Sequence, residues 1–195
     1  MNRTGGLYVI FGPSGVGKGS VIARLLSSNP GGLFLSVSAT TRRPRPGEVD
    51  GRDYRFVSDE RFRKLIDDDG LLEWAEVFGH LYGTPAEPVV RARAEGKDVV
   101  LEIDVQGARQ VRAAAPDAFL LFLAPPDRSR MREVLRRRLE TRGTEHEEEI
   151  VRRLAEADRE IAEAERLQDE TVVNDDLERA TTQVAAILKE RRGRD

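Results

Sequence analysis

The run Gly12-Pro13-Ser14-Gly15-Val16-Gly17-Lys18 constrains this chain more than any other stretch, because it follows the apolar segment Leu7-Tyr8-Val9-Ile10-Phe11 and opens a helix-like segment. Three glycines let the backbone curl so that successive N–H groups point inward, the following helix adds its positive end, and Lys18 is placed to reach phosphate oxygens. Strand, glycine loop and helix in that order predict a binding site for a nucleoside triphosphate. Without the strand before and the helix after, the same residues would read only as a glycine-rich turn. Gly19 stands where many such loops carry the Ser or Thr whose hydroxyl touches Mg²⁺, and the hydroxyl comes one residue later, at Ser20. Ser20 is therefore the metal candidate, directly or with a water near Gly19 taking the missing place.

At 195 residues the chain has room for one α/β domain with an insertion and a sizeable core. Its 34% charged and 39% hydrophobic residues are those of an ordinary soluble protein, and no apolar run approaches the roughly 20 residues of a membrane span. Met1 to Gly6 lead into the first apolar run with no signal-type region, so a cytoplasmic location without membrane association is expected. The lack of cysteine excludes disulfides and thiolate metal sites, and the isolated His80 and His146 read as surface residues rather than zinc ligands. A net charge of −3 argues against a nucleic-acid partner. The basic residues are nearly all arginine, with lysine only at positions 18, 64, 97 and 189. That is either a compositional bias or, at a few positions, a set of planar forks matched to phosphate.

Apolar runs at 7–11, 33–37, 99–103, 119–123 and 171–173 alternate with helical patterns at 18–28, 106–115, 128–141, 145–166 and 177–191. Strands alternating with helices predict a parallel sheet whose ligands sit beyond the carboxyl ends of the strands. Asn29-Pro30-Gly31-Gly32 reads as the end of the first helix. Residues 39–90 break the alternation with a proline-rich stretch, an Asp50-Gly51 turn, a short strand near Tyr54 to Val57 and a helix from Asp59 to about Asp68. They read as an inserted lobe. Residues 126–165 read as a charged, lid-like helix pair, with Thr144 and Glu147 spaced for a capping box. Ile150, Leu154, Ala157, Ile161 and Ala164 form an apolar stripe there, better suited to packing within the domain than to a coiled coil.

The lobe carries the signals about substrate. Arg42 and Arg45 lie among prolines, with Tyr54 nine residues on: either a clamp for a second phosphate or a loop of solvated arginines. Glu73, beside Trp74 and followed by Tyr82-Gly83-Thr84, offers an acceptor carboxylate near an aromatic and hydroxyls, which complements the N1–H and N2–H₂ donors of guanine.

Together with Ser36 to Glu48, Gly51 to Tyr54, Glu73 to Ala75, Ile103 to Gly107, Arg142 to Thr144 and Val173 to Asp176, these motifs resemble one family almost from end to end, the guanylate kinases among the P-loop nucleoside monophosphate kinases. The resemblance implies a parallel sheet of about five strands flanked by helices. It implies a core near 1–38, 91–125 and 166–195, a mixed α+β GMP-binding lobe at 39–90 and a helical lid at 126–165. It also implies ATP and GMP as substrates with Mg²⁺, ATP contacts from Gly12 through Ser20 and from Asn174, and GMP phosphate contacts from Arg42, Arg45, Tyr54 and Tyr82. Ser38, Glu73 and Thr84 match the guanine readers, and Glu102 and Asp104 match acidic residues near the guanine amino group and the metal-water network. The resemblance further places Arg138, Arg142 and Arg153 over the phosphates on the lid. Lys18, Arg42 and those three arginines are then the residues expected to carry catalysis. Other readings are a non-catalytic binding module on the same fold and a kinase for another nucleoside monophosphate. A GTPase lacks support, because no Asn-Lys-x-Asp motif is present.

Overall fold

The computed structural model describes residues 3–13, 15–28, 33–77, 79–127, 132–133, 136–137 and 147–192. Parallel strands covered on both faces have to be apolar throughout. Three runs of that kind form the middle of a five-stranded sheet: β1 (Leu7–Phe11), β7 (Asp98–Ile103) and β8 (Phe119–Ala124) are buried along nearly their whole length. The more exposed β2 (Leu33–Leu35) and β9 (Glu170–Val173) take the edges, giving the order β2-β7-β1-β8-β9. Leu33 to Leu35 pair in parallel with Asp98 to Val100, and Leu121 to Ala124 with Glu170 to Val173. Each strand lies within two residues of its predicted bounds.

The described helices are α1 (Lys18–Ser28), α2 (Asp59–Asp67), α3 (Ala86–Ala94), α4 (Val105–Ala114), α5 (Glu147–Leu167) and α6 (Leu177–Arg192), and all but α3 lie within two residues of a predicted helix. α1 buries Val21, Ile22 and Leu25. α5 buries Leu154, Ile161 and Ala164, so these members of the predicted stripe pack within the chain, while the side chains of Ile150 and Ala157 lie outside the described residues. Most of the predicted 128–141 helix, the Asn29 to Gly32 terminator and Thr144 of the predicted capping box lie outside the described residues. Among the described residues, no helix is long and apolar enough to cross a membrane.

Internal contacts divide the chain into two compact units: Met1–Val9, Gly31–Leu101 and Gln106–Phe119 in one, and Ile10–Pro30, Glu102–Val105 and Leu120–Asp195 in the other. The first unit holds a second, mixed sheet in the order β4-β3-β6-β5, built from β3 (Ala39–Thr40), β4 (Arg55–Phe56), β5 (Leu71–Val77) and β6 (His80–Pro85). β3 runs parallel to β4 and antiparallel to β6, and β5 and β6 form a hairpin with Gly79 at φ +74° in its turn. The sequence signals the strand near Tyr54 and α2, but the hairpin and α3 were not expected. Ala39, Phe62 and Leu81 form the core of this sheet, with Val57, Ile66 and Leu71 packed around them. Full burial of Phe62 alone contributes about 2–3 kcal/mol. α2 is fixed at its start by Ser58, whose side chain accepts from the Arg61 N–H at 3.2 Å, and carries Asp59 and Glu60 in the positive first turn.

β5 is an edge strand, and α4 covers it with one side chain. Gln110 accepts from the Trp74 N–H at 3.1 Å and donates to the Trp74 carbonyl at 2.7 Å, so its carboxamide does the pairing of a neighbouring strand.

Candidate active site

In the second unit, β1 ends at Phe11 and the chain turns into the glycine loop before α1 begins at Lys18. Two glycines are required by contact as well as by backbone conformation. Gly12 has φ +155°, and a Cβ there would lie 2.5 Å from the Leu123 carbonyl oxygen of β8. Gly17 has φ +95°, and a Cβ there would lie 2.6 Å from Asn174 Nδ2. Asn174 itself closes the loop from the end of β9: its Nδ2 donates to the Val16 carbonyl at 2.8 Å and its backbone N–H to Ala124. Lys18 Nζ curls back across the loop, donating to Gly12 O at 2.6 Å and Pro13 O at 3.2 Å. An ammonium drawn onto two loop carbonyls at the start of a helix is suited to a polyphosphate.

In the first unit, a cluster of different chemistry forms around Arg42. Its guanidinium carbon lies 5.4 Å from the Tyr54 ring centroid and 5.8 Å from that of Phe56. The rings of Tyr54 and Tyr82 meet edge to face at 5.9 Å. Glu48 grips the guanidinium with both oxygens at 2.9 Å, and this hydrogen-bonded pair holds the Glu48 carboxyl below the usual carboxylate range and Arg42 above its ordinary value. Arg45 joins the cluster through its backbone N–H, which donates to Glu48 at 2.7 Å, while its side chain is exposed.

The hairpin presents the third element of the site. Alternation along β5 turns Glu73 inward, 6% exposed, and Trp74 outward, 39% exposed. Glu73 faces Thr84 across the β5–β6 pair and accepts from its hydroxyl at 2.6 Å. Burying a carboxylate costs free energy that hydrogen bonds must offset, so a buried Glu73 favours a ligand edge rich in N–H donors. Trp74 takes no part on that face, so the aromatic grouped with Glu73 in the sequence is separated from it by the pleat.

The chain matches the guanylate kinase family model over residues 4–191. It belongs to the guanylate kinase family. A guanylate kinase of Thermus thermophilus is 53% identical over 190 residues, which are 97% of this chain and 83% of that relative. One from a Synechococcus species is 53% identical over 176 residues, 90% of each chain. Among solved structures, guanylate kinase from Anaplasma phagocytophilum is similar with a TM-score of 0.77 at 32% identity, over 97% of this chain and 87% of that one. The parallel five-stranded sheet and the additional mixed sheet agree with the fold the sequence resemblance implies.

Within this guanylate kinase fold, the structure brings Arg42, Tyr54 and Tyr82 together, pairs Glu73 with Thr84, and assembles Gly12, Pro13, Gly15, Val16, Gly17 and Lys18 into the loop with Asn174. Ser38 is half-buried between β2 and β3, its carbonyl accepting from the Arg55 N–H. Asp104 is half-buried just after β7. Ser14, Arg138 and Arg142 lie outside the described residues, as does the side chain of Arg153 on α5. The sequence reading passed over Glu48, although its place six residues after Arg42 in the same proline-rich stretch was a usable signal.

Glu102, near the end of β7, bears on the metal. Its carboxylate oxygens lie 3.4 and 3.7 Å from where a Cβ on Gly19 would be, beside the very residue that lacks the usual hydroxyl. Burial pushes the Glu102 carboxyl up, and the Lys18 charge opposes that shift. A hard cation seeks oxygen donors, so a carboxylate at Gly19 and the exposed hydroxyl of Ser20 fit Mg²⁺ by their chemistry.

Proposed function

We propose how the two clusters divide the work of a guanylate kinase, an ATP:GMP phosphotransferase. The glycine loop with Lys18 and Asn174 takes ATP. Arg42, Arg45, Tyr54 and Tyr82 take the phosphate of GMP, and Glu73, Thr84 and Ser38 read its guanine. The observation that carries this reading is the presence of two distinct cationic centres, Lys18 on the loop carbonyls and Arg42 among aromatics, each suited to a phosphate. A binding module needs no second phosphate clamp in addition to an intact loop.

The GMP phosphate is already an ionised nucleophile, so the transfer to give ADP and GDP needs no general base from the protein. Lys18 neutralises the charge that spreads over the γ-phosphoryl oxygens, and Arg42 fixes the acceptor phosphate in line with them. Mg²⁺, held by the ATP phosphates with Glu102 and Ser20 as protein-side oxygens, would supply further charge neutralisation. Arg138, Arg142 and Arg153 complete the neutralisation from the lid, and lid closure keeps water from the γ-phosphoryl group. Asn174 serves the adenine nucleotide by holding the loop as well as through the expected base contact. Glu73 accepts from guanine N1 and N2, which adenine and the pyrimidines cannot match, while dGMP presents the same base. The reading implies a cytoplasmic enzyme of purine nucleotide metabolism with no nucleic-acid or membrane partner.

The test is ADP production from ATP and Mg²⁺ with GMP, dGMP, AMP, CMP, UMP or dTMP as acceptor, and with none. Turnover confined to GMP and dGMP is expected. Turnover on another base would sink the Glu73 assignment, and none on any acceptor would sink the catalytic reading.

A further inference from the structure

We propose that Glu48 is a positioning residue for phosphate recognition, selecting which edge of the Arg42 guanidinium meets the ligand. The inference rests on the reading that Arg42 holds the GMP phosphate, and it comes from a count of donors. A guanidinium has five N–H bonds in a rigid plane and offers two bidentate forks, one across both Nη atoms and one across Nε and the neighbouring Nη2. Glu48 fills the first fork: Nη1 donates to Oε2 and Nη2 to Oε1, both at 2.9 Å. The other Nη1 hydrogen goes to the Arg43 carbonyl at 2.8 Å. What is left is Nε–H and the second Nη2–H, side by side in the geometry that matches two phosphate oxygens. Tyr82, whose ring meets that of Tyr54 edge to face at 5.9 Å beside this guanidinium, is itself one of the phosphate ligands of the proposed function.

The surroundings argue for a fixed support over a stand-in that leaves when phosphate arrives. The Arg42 and Glu48 side chains are only 11% and 20% exposed, and the rings of Tyr54 and Phe56 lie within cation–π range of the guanidinium. Glu48 is tied down as well. It accepts the Arg45 N–H at 2.7 Å, and its own N–H donates to the Arg45 carbonyl at 3.1 Å. One carboxylate thus sets the Arg42 fork and the backbone that carries Arg45. Without it, Arg42 would be free to rotate among several edges and would have to be ordered at the moment of binding.

The experiment compares Glu48→Ala, Glu48→Gln and Arg42→Ala in the full chain, using calorimetric binding of GMP and of guanosine together with steady-state kinetics. Glu48→Ala is expected to weaken GMP about 10- to 100-fold and to raise the KM for GMP with that for ATP unchanged. Guanosine, which has no phosphate, should bind as to the wild type, which also shows that the lobe is folded. Glu48→Gln keeps one acceptor oxygen and should recover part of the loss. The double variant Arg42→Ala/Glu48→Ala should lose less than the two single variants multiplied together, since both act through one guanidinium; full multiplicative losses would overturn the proposal. GMP binding to Glu48→Ala that equals or exceeds wild type would make the carboxylate a bystander or a competitor and overturn the proposal, as would an equal loss of guanosine. If Arg42→Ala leaves GMP affinity intact, the phosphate-clamp reading itself fails, an outcome distinct from failure of Glu48 alone.

Discussion

The glycine loop and the Arg42 cluster address the same chemical group by opposite means. The loop works with backbone: its glycines leave room for Leu123 and Asn174, and a single ammonium donates to two loop carbonyls. The Arg42 cluster works with side chains, a guanidinium caged by rings and held by a carboxylate. The glycines permit the loop's positive φ angles, and its order comes from hydrogen bonds made by Asn174 and Lys18 to its carbonyls. A long side chain has rotamer freedom to lose, about 2 kcal/mol for arginine, and so needs partners that hold it before the ligand arrives.

That contrast predicts how each half breaks. The largest effect should come from Gly17→Ala, which forces a side chain into a left-handed backbone and against Asn174. We expect kcat/KM for ATP to fall about 100- to 1,000-fold, with guanosine affinity unchanged in a calorimetric titration. A normal kcat/KM for ATP would show that the loop is not held by its glycine geometry. Next is Glu73→Gln, which presents an amide N–H₂ to the guanine donors. It should cost about 2–3 kcal/mol in GMP binding, about 30- to 150-fold, and leave ATP affinity alone. Unaltered GMP binding would remove Glu73 from base reading.

The smallest effect expected is that of Glu102→Gln on the stability of the ligand-free protein. Burial raises the folded-state value of Glu102 above that of the unfolded chain, so its favourable contribution is complete at acid pH and is lost as pH rises through the folded value. Glutamine does not titrate. As pH rises from the acid range towards neutrality, the wild-type melting temperature should therefore fall relative to Glu102→Gln. A relative rise would mean that the Lys18 charge outweighs burial. That would place an ion pair at the heart of the loop and blur its contrast with the Arg42–Glu48 pair.

The same contrast explains what could be read in advance. The β1-loop-α1 unit was legible to the residue because its elements need specific residue types: a fully apolar strand, glycines at set places, a lysine at the helix start. The β5–β6 hairpin was not, because its pattern is inverted where it functions, with Glu73 buried and Trp74 exposed. Binary patterning cannot place a strand whose polar residue faces inward for a ligand. Glu48 was missed for a related reason: a charged residue in a proline-rich loop reads as solvated until its partner is seen. The Asn174 contact to Val16 joins residues 158 apart in sequence, a pairing that no local pattern carries.

Gln110 has a consequence of another kind. By occupying both the N–H and the carbonyl of Trp74, it removes one pair of backbone groups in the middle of the β5 edge. An incoming strand would have to displace this carboxamide or register elsewhere along β5. At high protein concentration, edge-to-edge pairing is thus obstructed at Trp74 by a single side chain.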